Sequence, residues 1–549
     1  MTVSRASAVV FGVLLVLNLA LPAFHHDLWN PDEPRIAHLA QDMVRHGNVL
    51  IPEVNGEVVF EQPPLQAWMT ALCMLVFGAG FDRDWVPRLP SIAFGLGVLI
   101  LVARTAYRLR GPGCAVLSCV LLTTCIEFTV GFHRGIVDTG LTFFVTLAML
   151  QIHAAVARNE ALSWKEAVIL GAAGGLSFLA KNLIGPVFIW LVLVAVVLRH
   201  RSIFLDRRSL RRLGVAVLVG LAVSAPYVAA AALSAPADLD ALEVLLVDNT
   251  IGRFVRDDIH NPPFFEFAHR MLGVLMPWIA VALVFHIRAF RRWWRREGDA
   301  MDRSTEVLFW WTILPMLLVQ CSGSKREIYL LPVTPAIALA TAVWIDMHVD
   351  KRLVGRVALV VVAILAPLAP AACVVGGIWA GSLPHEVWII LFAHLVVVYV
   401  FVRRRKWTSN PARLSGAAFL LLTTVGIGQL IYYRAENGRQ SYVQLCRDLA
   451  AVRDEGVRIV LYRLPLRERS AIPYYLEEHL PDLHEETDLD AVFADGAPPS
   501  VVVLRDPVPQ SIEDETARQY RVRRTIHVVF NSLAASRIRD DRPAEAESQ

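Results

Sequence analysis

Long apolar stretches recur along the first 434 of the 549 residues, and they constrain the fold more than any other feature. Each can cross about 30 Å of hydrocarbon as a helix. They cover residues 7–24, 86–107, 113–131, 137–157, 166–181, 183–199, 213–233, 267–290, 305–321, 327–346, 355–381, 386–402 and 414–433. Hydrophobic residues make up 55% and charged residues 19% of the chain, and the mean hydropathy is +0.48, which excludes a disordered or mainly water-soluble protein. The sequence predicts a polytopic α-helical membrane protein with about thirteen transmembrane helices.

Basic clusters between these stretches predict the orientation in the membrane. Arginine and lysine concentrate at residues 104–110, 199–212, 288–303, 351–356 and 403–406. Such loops face the cytosol by the positive-inside rule. They all fall on one face only if a further apolar stretch, residues 65–78, does not cross the membrane. This stretch is short and follows Pro63-Pro64, so we expect a re-entrant or interfacial helix, a cytosolic N terminus and an exterior C terminus.

The last 115 residues have a different pattern. Residues 457–462 and 500–504 are β-branched runs that predict short strands, and 522–530 predicts a third. Residues 470–480 and 512–518 are predicted to be helical or turn-rich. We therefore expect a transmembrane domain at 1–434, with its first exterior segment at 25–82. A small exterior α/β domain at 435–549 follows, with a disordered tail from Arg537.

Ionisable residues concentrate at the predicted exterior ends of the spans. Asp32 and Glu33 precede Pro34 at a helix start, where backbone N–H groups favour carboxylates. Asp32 and Asp138 could equally be plain helix caps, and Lys181 a snorkelling anchor. A cluster of cations at the outer membrane boundary suits a phosphorylated lipid, while carboxylates can bind a sugar, position an acceptor or hold a divalent ion. The candidates are Asp32, Glu33, Arg35, Glu61, Gln62, Asp138, Lys181, Arg253, His260, Lys325, Arg326 and Tyr329.

The arrangement resembles the GT-C membrane glycosyltransferases, most closely the bacterial aminoarabinose transferases that act on lipid A, and more distantly the protein O-mannosyltransferases. The resemblance covers essentially the whole membrane part. The residues that carry it are Asp32-Glu33-Pro34-Arg35, the run Met43…Gly47…Pro52…Gly56…Glu61-Gln62-Pro63-Pro64-Leu65, Asp138, Lys181 and Lys325…Tyr329-Leu330-Leu331-Pro332.

The resemblance implies a GT-C fold and transfer of a sugar from a polyprenyl-phosphate carrier, without a nucleotide, to lipid A. It implies a multi-pass protein of the bacterial inner membrane whose active site faces the periplasm. Asp32 and Asp138 look like the two catalytic acidic positions, and Glu61 and His260 resemble a pair that can hold zinc, magnesium or manganese. The other candidates named above look like contacts to the carrier phosphate or the sugar. Family members usually have Lys where this chain has Gln62, which keeps hydrogen-bond donors but loses the charge.

Several alternatives stay open from the sequence. The acceptor could instead be a protein hydroxyl, a core oligosaccharide or a wall polymer. A lipid or solute transporter would use its carboxylates as a proton relay within the spans, whereas these candidates lie at the span ends. A catalytically inactive scaffold is a third alternative. A net charge of +3 gives no reason to expect a nucleic-acid partner, and we expect a monomer.

Overall fold

The computed structural model describes most of the chain in two compact units. The described residues are 5–29, 31–60, 62–234, 278–294, 303–323, 325–403, 410–494, 496–505, 516–522 and 524–531, together with isolated positions around these ranges. The first unit comprises Met1–His25, Phe60–Met69 and Arg88–Tyr433. The second comprises His26–Val59, Thr70–Pro87 and Arg434–Gln549. The predicted disordered tail lies outside the described residues.

Helices make up nearly all of the described chain up to Gln440. In chain order they are α1 (Arg5–Ala20), α2 (Asp32–His46), α3 (Leu65–Phe77), α4 (Leu89–Arg110), α5 (Pro112–Thr123), α6 (Ile126–Phe132), α7 (Val137–Arg158), α8 (Trp164–Lys181), α9 (Ile184–Arg199), α10 (Arg201–Phe204), α11 (Arg207–Ser234), α12 (Ile279–Trp294), α13 (Arg303–Cys321), α14 (Thr334–His348), α15 (Lys351–Ala380), α16 (His385–Arg403) and α17 (Asn410–Gln440). Short 3₁₀ helices cover Leu21–Phe24, Val86–Arg88 and Glu327–Val333.

The described helices bear out a polytopic helical membrane protein. Each of the thirteen predicted stretches carries helix, the stretch 267–290 as far as it is described, and the short stretch 65–78 forms α3. Six described helices are long and apolar enough to cross a membrane, or seven if α5 and α6, bent by 72° at their junction, form one broken span. Several of the remaining apolar helices are shorter, so the number thirteen and the membrane orientation stay predictions.

Small residues let α8 pack directly against α11. A Cβ added at Gly171 would lie 2.2 Å from the carbonyl oxygen of Ala216, and one at Gly175 would lie 2.6 Å from that of Gly220. Four-residue spacing places Gly171 and Gly175 on the same face of α8. Such a small-residue face is typical of closely packed membrane helices. The contact fixes α8, whose last residue is Lys181.

The second unit contains a five-stranded mixed sheet. Its strands are β3 (Arg458–Tyr462), β4 (Asp482–Leu483), β5 (Ser500–Arg505), β6 (Thr516–Val522) and β7 (Arg524–Phe530), in the order β4-β3-β5-β7-β6; β1 (Glu53–Val54) and β2 (Glu57–Val58) form a separate hairpin. Strand β3 is parallel to β4 and β5, while β7 is antiparallel to β5 and β6. The three predicted strands are confirmed. The prediction for 512–518 is wrong from residue 516 onward, because β6 begins there and pairs with β7.

Three helices accompany this sheet: α18 (Val443–Asp454), α19 (Leu466–Leu476) and α20 (Glu486–Phe493). A core of buried side chains, including Val460, Leu489 and Val529, lies between α20 and the sheet. Helix α2 packs against α19, where the Gln41 side chain donates a hydrogen bond to the carbonyl oxygen of Tyr474 at 3.2 Å. Of the predicted first exterior segment, residues 26–59 and 70–82 belong to this unit, whereas residues 60–69 belong to the first unit. The predicted periplasmic placement stays a prediction.

Candidate active site

The central feature of the first unit is an ion pair between Asp138 and Lys181. Asp138 lies in the first turn of α7, and Lys181 is the last residue of α8. The Lys181 ammonium donates a hydrogen bond to Asp138 Oδ1 at 2.5 Å, and the two side chains are only 13% and 7% exposed. In such a poorly solvated setting each charge is stabilised mainly by the other.

The aromatic ring of Tyr329 faces the ammonium group of Lys181. The Lys181 Nζ atom lies 4.3 Å from the centre of the Tyr329 ring, which is a cation–π contact. The ring also packs against a buried apolar cluster that includes Phe188, Leu330 and Val333. Residues distant in sequence thus hold one ammonium group between a carboxylate and an aromatic face.

The 3₁₀ helix that carries Tyr329 is fixed by its own contacts. The Trp311 indole donates a hydrogen bond to the carbonyl oxygen of Pro332 at 3.0 Å. On its other side the 3₁₀ helix meets α6, where a Cβ at Gly131 would lie only 2.9 Å from the fully buried side chain of Leu331. Glycine at this position permits the close approach, so the position of Tyr329 depends on packing that the sequence motif does not reveal.

Further charged groups surround the pair. Glu127, in the first turn of α6, interacts electrostatically with Asp138 and with Arg134, Arg326 and Glu327. The sequence predictions missed Glu127, although an acidic residue inside the apolar stretch 113–131 is a signal of function. The site therefore presents carboxylates and cations side by side.

The structure brings together part of the predicted site. Lys181 contacts both Asp138 and Tyr329, and Asp138 and Arg326 each interact electrostatically with Glu127. Lys325 directly precedes Arg326 and is partly buried. Asp138 is not a plain helix cap, because the N-cap of α7 is Ile136. Lys181 is not merely a snorkelling anchor, because its side chain pairs with Asp138.

Gln62 also lies in the first unit, and its side-chain amide has an unsatisfied oxygen. Its Oε1 atom is buried and accepts no hydrogen bond from any described residue. Buried polar atoms are nearly always satisfied in native proteins. The amide therefore suits a hydrogen-bonding ligand, consistent with a binding role.

Asp32, Glu33 and Arg35 belong to the second unit. Pro31, not Asp32, is the N-cap of α2, and no side-chain cap hydrogen bond forms there, so the simple cap interpretation of Asp32 is wrong. Arg35 donates a hydrogen bond to Asp32 at 3.4 Å. Glu33 is fully buried and accepts a hydrogen bond from the backbone N–H of Trp29 at 2.8 Å, which gives it a structural contact.

Three predicted site residues lie outside the described residues: Glu61, Arg253 and His260. Their roles stay predictions.

Comparison with known proteins agrees with a membrane glycosyltransferase. The family described as dolichyl-phosphate-mannose-protein mannosyltransferase matches residues 61–229. An undecaprenyl phosphate-α-4-amino-4-deoxy-L-arabinose arabinosyl transferase of Edwardsiella ictaluri is 28% identical over 75% of this chain and 76% of its own. A protein of the same name, numbered 1, from Pseudomonas fluorescens is 26% identical over 72% of this chain and 68% of its own.

The fold comparison extends over nearly the whole chain. The crystal structure of ArnT from Cupriavidus metallidurans bound to undecaprenyl phosphate matches with a TM-score of 0.74 and 18% identity, covering 96% of this chain and 98% of that one. The chain therefore has the GT-C fold of polytopic membrane glycosyltransferases, and the prediction that it is an enzyme of this class is confirmed. Within that class, its resemblance to the bacterial aminoarabinose transferases is also confirmed.

Proposed function

We propose that the protein transfers a sugar from a polyprenyl-phosphate carrier to an acceptor on the periplasmic face of the bacterial inner membrane. The observation that carries this proposal is the buried cluster of Asp138, Lys181 and Tyr329. Its relatives are named for an undecaprenyl-phosphate-linked sugar, and the solved ArnT structure contains undecaprenyl phosphate. No nucleotide is required in this reaction, because the carrier phosphate is itself the leaving group.

The proposed step is a displacement at the anomeric carbon with inversion. A nucleophilic oxygen of the acceptor forms the new bond to that carbon, while the bond from the carbon to the phosphate oxygen breaks. Negative charge then develops on the departing polyprenyl phosphate. Lys181, held at a fixed position by Asp138 and Tyr329, is suited to stabilise that charge without reorganising, and Arg326 adds a second cation nearby.

The acidic residues of the cluster favour an amino sugar as the transferred group. Glu127 and Asp138 lie beside the cations, so the site can contact a group of each sign. A donor such as 4-amino-4-deoxy-arabinosyl phosphate has both, an anionic phosphate and an amine that is cationic when protonated.

For the acceptor we propose a phosphate of lipid A. An acceptor phosphate is already anionic, so Asp32 would act mainly by orienting it, whereas a hydroxyl acceptor would require Asp32 as a base. We also propose a monomeric protein with thirteen spans, an exterior C-terminal α/β domain and a divalent metal held by Glu61 and His260. The displacement described above does not depend on this metal.

Transfer to a protein hydroxyl is the second candidate. The match of residues 61–229 to the protein mannosyltransferase family favours it, because that family is described by transfer to protein. A core oligosaccharide or wall polymer is a further acceptor of the same reaction class. A transporter is disfavoured, since Asp138 and Lys181 lie at helix ends and pair with each other instead of forming a relay through a span.

Mass spectrometry of lipid A and surface glycans from strains with and without the gene tests the proposal. Loss of one pentosamine mass from lipid A on deletion, restored by the wild-type chain, is the expected result. Lys181→Met should fail to restore it. Lys165→Met is the matched control, because Lys165 is an exposed lysine in the first turn of the same helix. An unchanged lipid A with a mass loss on a protein would replace the proposed acceptor, and no change in any glycan would contradict the function.

A further inference from the structure

A group of histidines surrounds one buried carboxylate in the second unit, further along α2 than Asp32, Glu33 and Arg35. His38, Asp42 and His46 follow one another at four-residue intervals along α2, so they lie on one face of the helix. His479, which follows α19, meets the same face. These four side chains, called the α2 histidine cluster below, combine three imidazoles with one carboxylate. Such a donor set suits borderline divalent metals, zinc above all.

One ligand atom each from His38, Asp42 and His479 lie within 4.8 Å of one another, and His46 approaches the same carboxylate. From Asp42 Oδ1, the nearest nitrogen of His479 lies at 2.9 Å and that of His46 at 3.6 Å. From Asp42 Oδ2, the Nε2 atom of His38 lies at 3.7 Å. Zinc–ligand bonds of about 2.0–2.1 Å place the ligand atoms of a tetrahedron about 3.3–3.4 Å apart. The three distances measured from the Asp42 carboxylate lie on either side of this separation.

The burial of Asp42 is a second and independent sign of a ligand. Its side chain is only 6% exposed, yet its Oδ2 atom accepts no hydrogen bond from any described residue. A buried, unsatisfied carboxylate oxygen is costly unless a cation or water is bound to it. A cavity of about 180 Å³ opens beside it, lined in part by His38, His46 and His479, and this volume easily accommodates one ion.

The other charges facing the cavity leave room for a cation. Arg45 lines it too, but its guanidinium pairs with Glu477, so the two charges offset each other.

One existing contact competes with metal binding. The backbone N–H of Asn55 donates a hydrogen bond to His38 Nε2 at 3.0 Å. A metal bound through this nitrogen must displace that hydrogen bond, whereas Asp42, His46 and His479 can bind without breaking a backbone contact. His38 is accordingly the weakest of the four ligands.

We propose that the α2 histidine cluster binds one zinc ion, which ties α2 to the segment after α19. Asp42 and His479 are 437 residues apart in the chain, so the ion closes a very long loop within the second unit. Metal binding of this kind stabilises the folded unit, because the unfolded chain lacks the assembled site. A second His-containing group, formed by Glu57, Asp482 and His484, is a poorer candidate. There Arg469 pairs with both carboxylates and supplies the positive charge.

The test uses the full-length protein in detergent, stripped with a chelator and titrated with Co²⁺, whose visible absorption is intense in four-coordinate sites. The wild-type chain should bind cobalt with these bands, and Zn²⁺ should displace it. His479→Gln and Asp42→Asn should each weaken binding by more than about 100-fold, the upper range for outer-shell changes. His484→Gln, an exposed histidine of the same unit, should bind as the wild type does.

A variant with Glu61→Gln and His260→Gln separates this site from the metal proposed for the transfer reaction, and it should keep the cobalt bands. If His479→Gln does not fold, His46→Gln replaces it, because His46 is about half exposed. The proposal is overturned if the wild-type chain shows no cobalt bands. It is equally overturned if His479→Gln binds as well as the wild type, or if His484→Gln alone abolishes binding.

Discussion

Replacing Lys181 with Met separates the contribution of this residue to stability from its contribution to transfer. Methionine retains most of the side-chain length but removes the ammonium group. Asp138 is then left 7% exposed without the hydrogen bond that spans 2.5 Å in the wild-type chain. The aromatic ring of Tyr329, 4.3 Å from the lysine nitrogen, also loses its cation.

The expected cost follows from the burial of both partners. Exposed ion pairs contribute about 0–1 kcal/mol, but breaking a buried pair by removing one partner costs about 3–5 kcal/mol. For large domains, 1 kcal/mol corresponds to roughly 2 °C in the midpoint of thermal unfolding. Lys181→Met should therefore lower that midpoint by about 6–10 °C. Loss of one donor to the developing charge should independently lower kcat by about 10²–10³-fold.

The double variant Lys181→Met, Asp138→Asn distinguishes the two effects. It removes both charges, so no buried carboxylate is left unpaired, and most of the lost thermal stability should return. Transfer should stay at least 100-fold below the wild-type rate, because the cation that faces the leaving phosphate is still missing. The coupling between the two changes is the quantity that a double-mutant cycle isolates.

The assay measures thermal unfolding in detergent alongside sugar transfer from polyprenyl phosphate, for the wild type, both single variants and the double variant. Lys165→Met should match the wild type in both measurements, since Lys165 is exposed. Wild-type turnover by Lys181→Met would remove Lys181 from the mechanism. A double variant as unstable as Lys181→Met would show that the ion pair is not the source of the stability loss.

Three further predictions concern single residues. Asp32→Asn should abolish transfer with unchanged thermal stability, and comparable transfer by Asp32→Asn and wild type would contradict the catalytic role. Glu33→Met should lower thermal stability, because it removes a buried acceptor of a backbone hydrogen bond. Tyr329→Phe should retain transfer, because phenylalanine keeps the aromatic ring. Tyr329→Leu should reduce transfer by roughly 2–30-fold, because the cation–π contact with Lys181 is lost. An equal loss in both variants would assign the role to the hydroxyl group instead. Gly131→Ala should destabilise the protein by about 1–3 kcal/mol in thermal unfolding, because the new methyl group would overlap the buried side chain of Leu331. Gly174→Ala is the control and should show no such loss, because a methyl group there meets open space.

The sequence allowed the helical class to be predicted because hydrophobic periodicity and length are local properties. The apolar stretches carry the described helices, and the β-branched runs 457–462 and 500–504 became β3 and β5. The third strand was predicted too, but its partner β6 was not. Residues 512–518 have no strand pattern of their own, and Thr516–Val522 becomes a strand by pairing with β7.

Individual site residues could be selected from the sequence, but their partners could not. Lys181 has no acidic residue close to it in the chain, and only the packing of α7 against α8 places Asp138 beside it. Glu127 could have been selected as an acidic residue within an apolar stretch, but its interactions with Asp138, Arg326 and Glu327 could not, since these residues come from other elements. The α2 histidine cluster needs His479, which is 437 residues away from Asp42.

The amino-acid sequence by itself determined the membrane class, the position of most helices and the kinds of side chain available at their ends. These properties depend on residues within one or two turns of each other, and each helix forms from its own backbone hydrogen bonds. Tertiary structure alone decided which charges neutralise one another and which remain available to a ligand. That outcome depends on distances and burial between remote segments, and it is set by packing such as the close approach of α8 to α11 at Gly171.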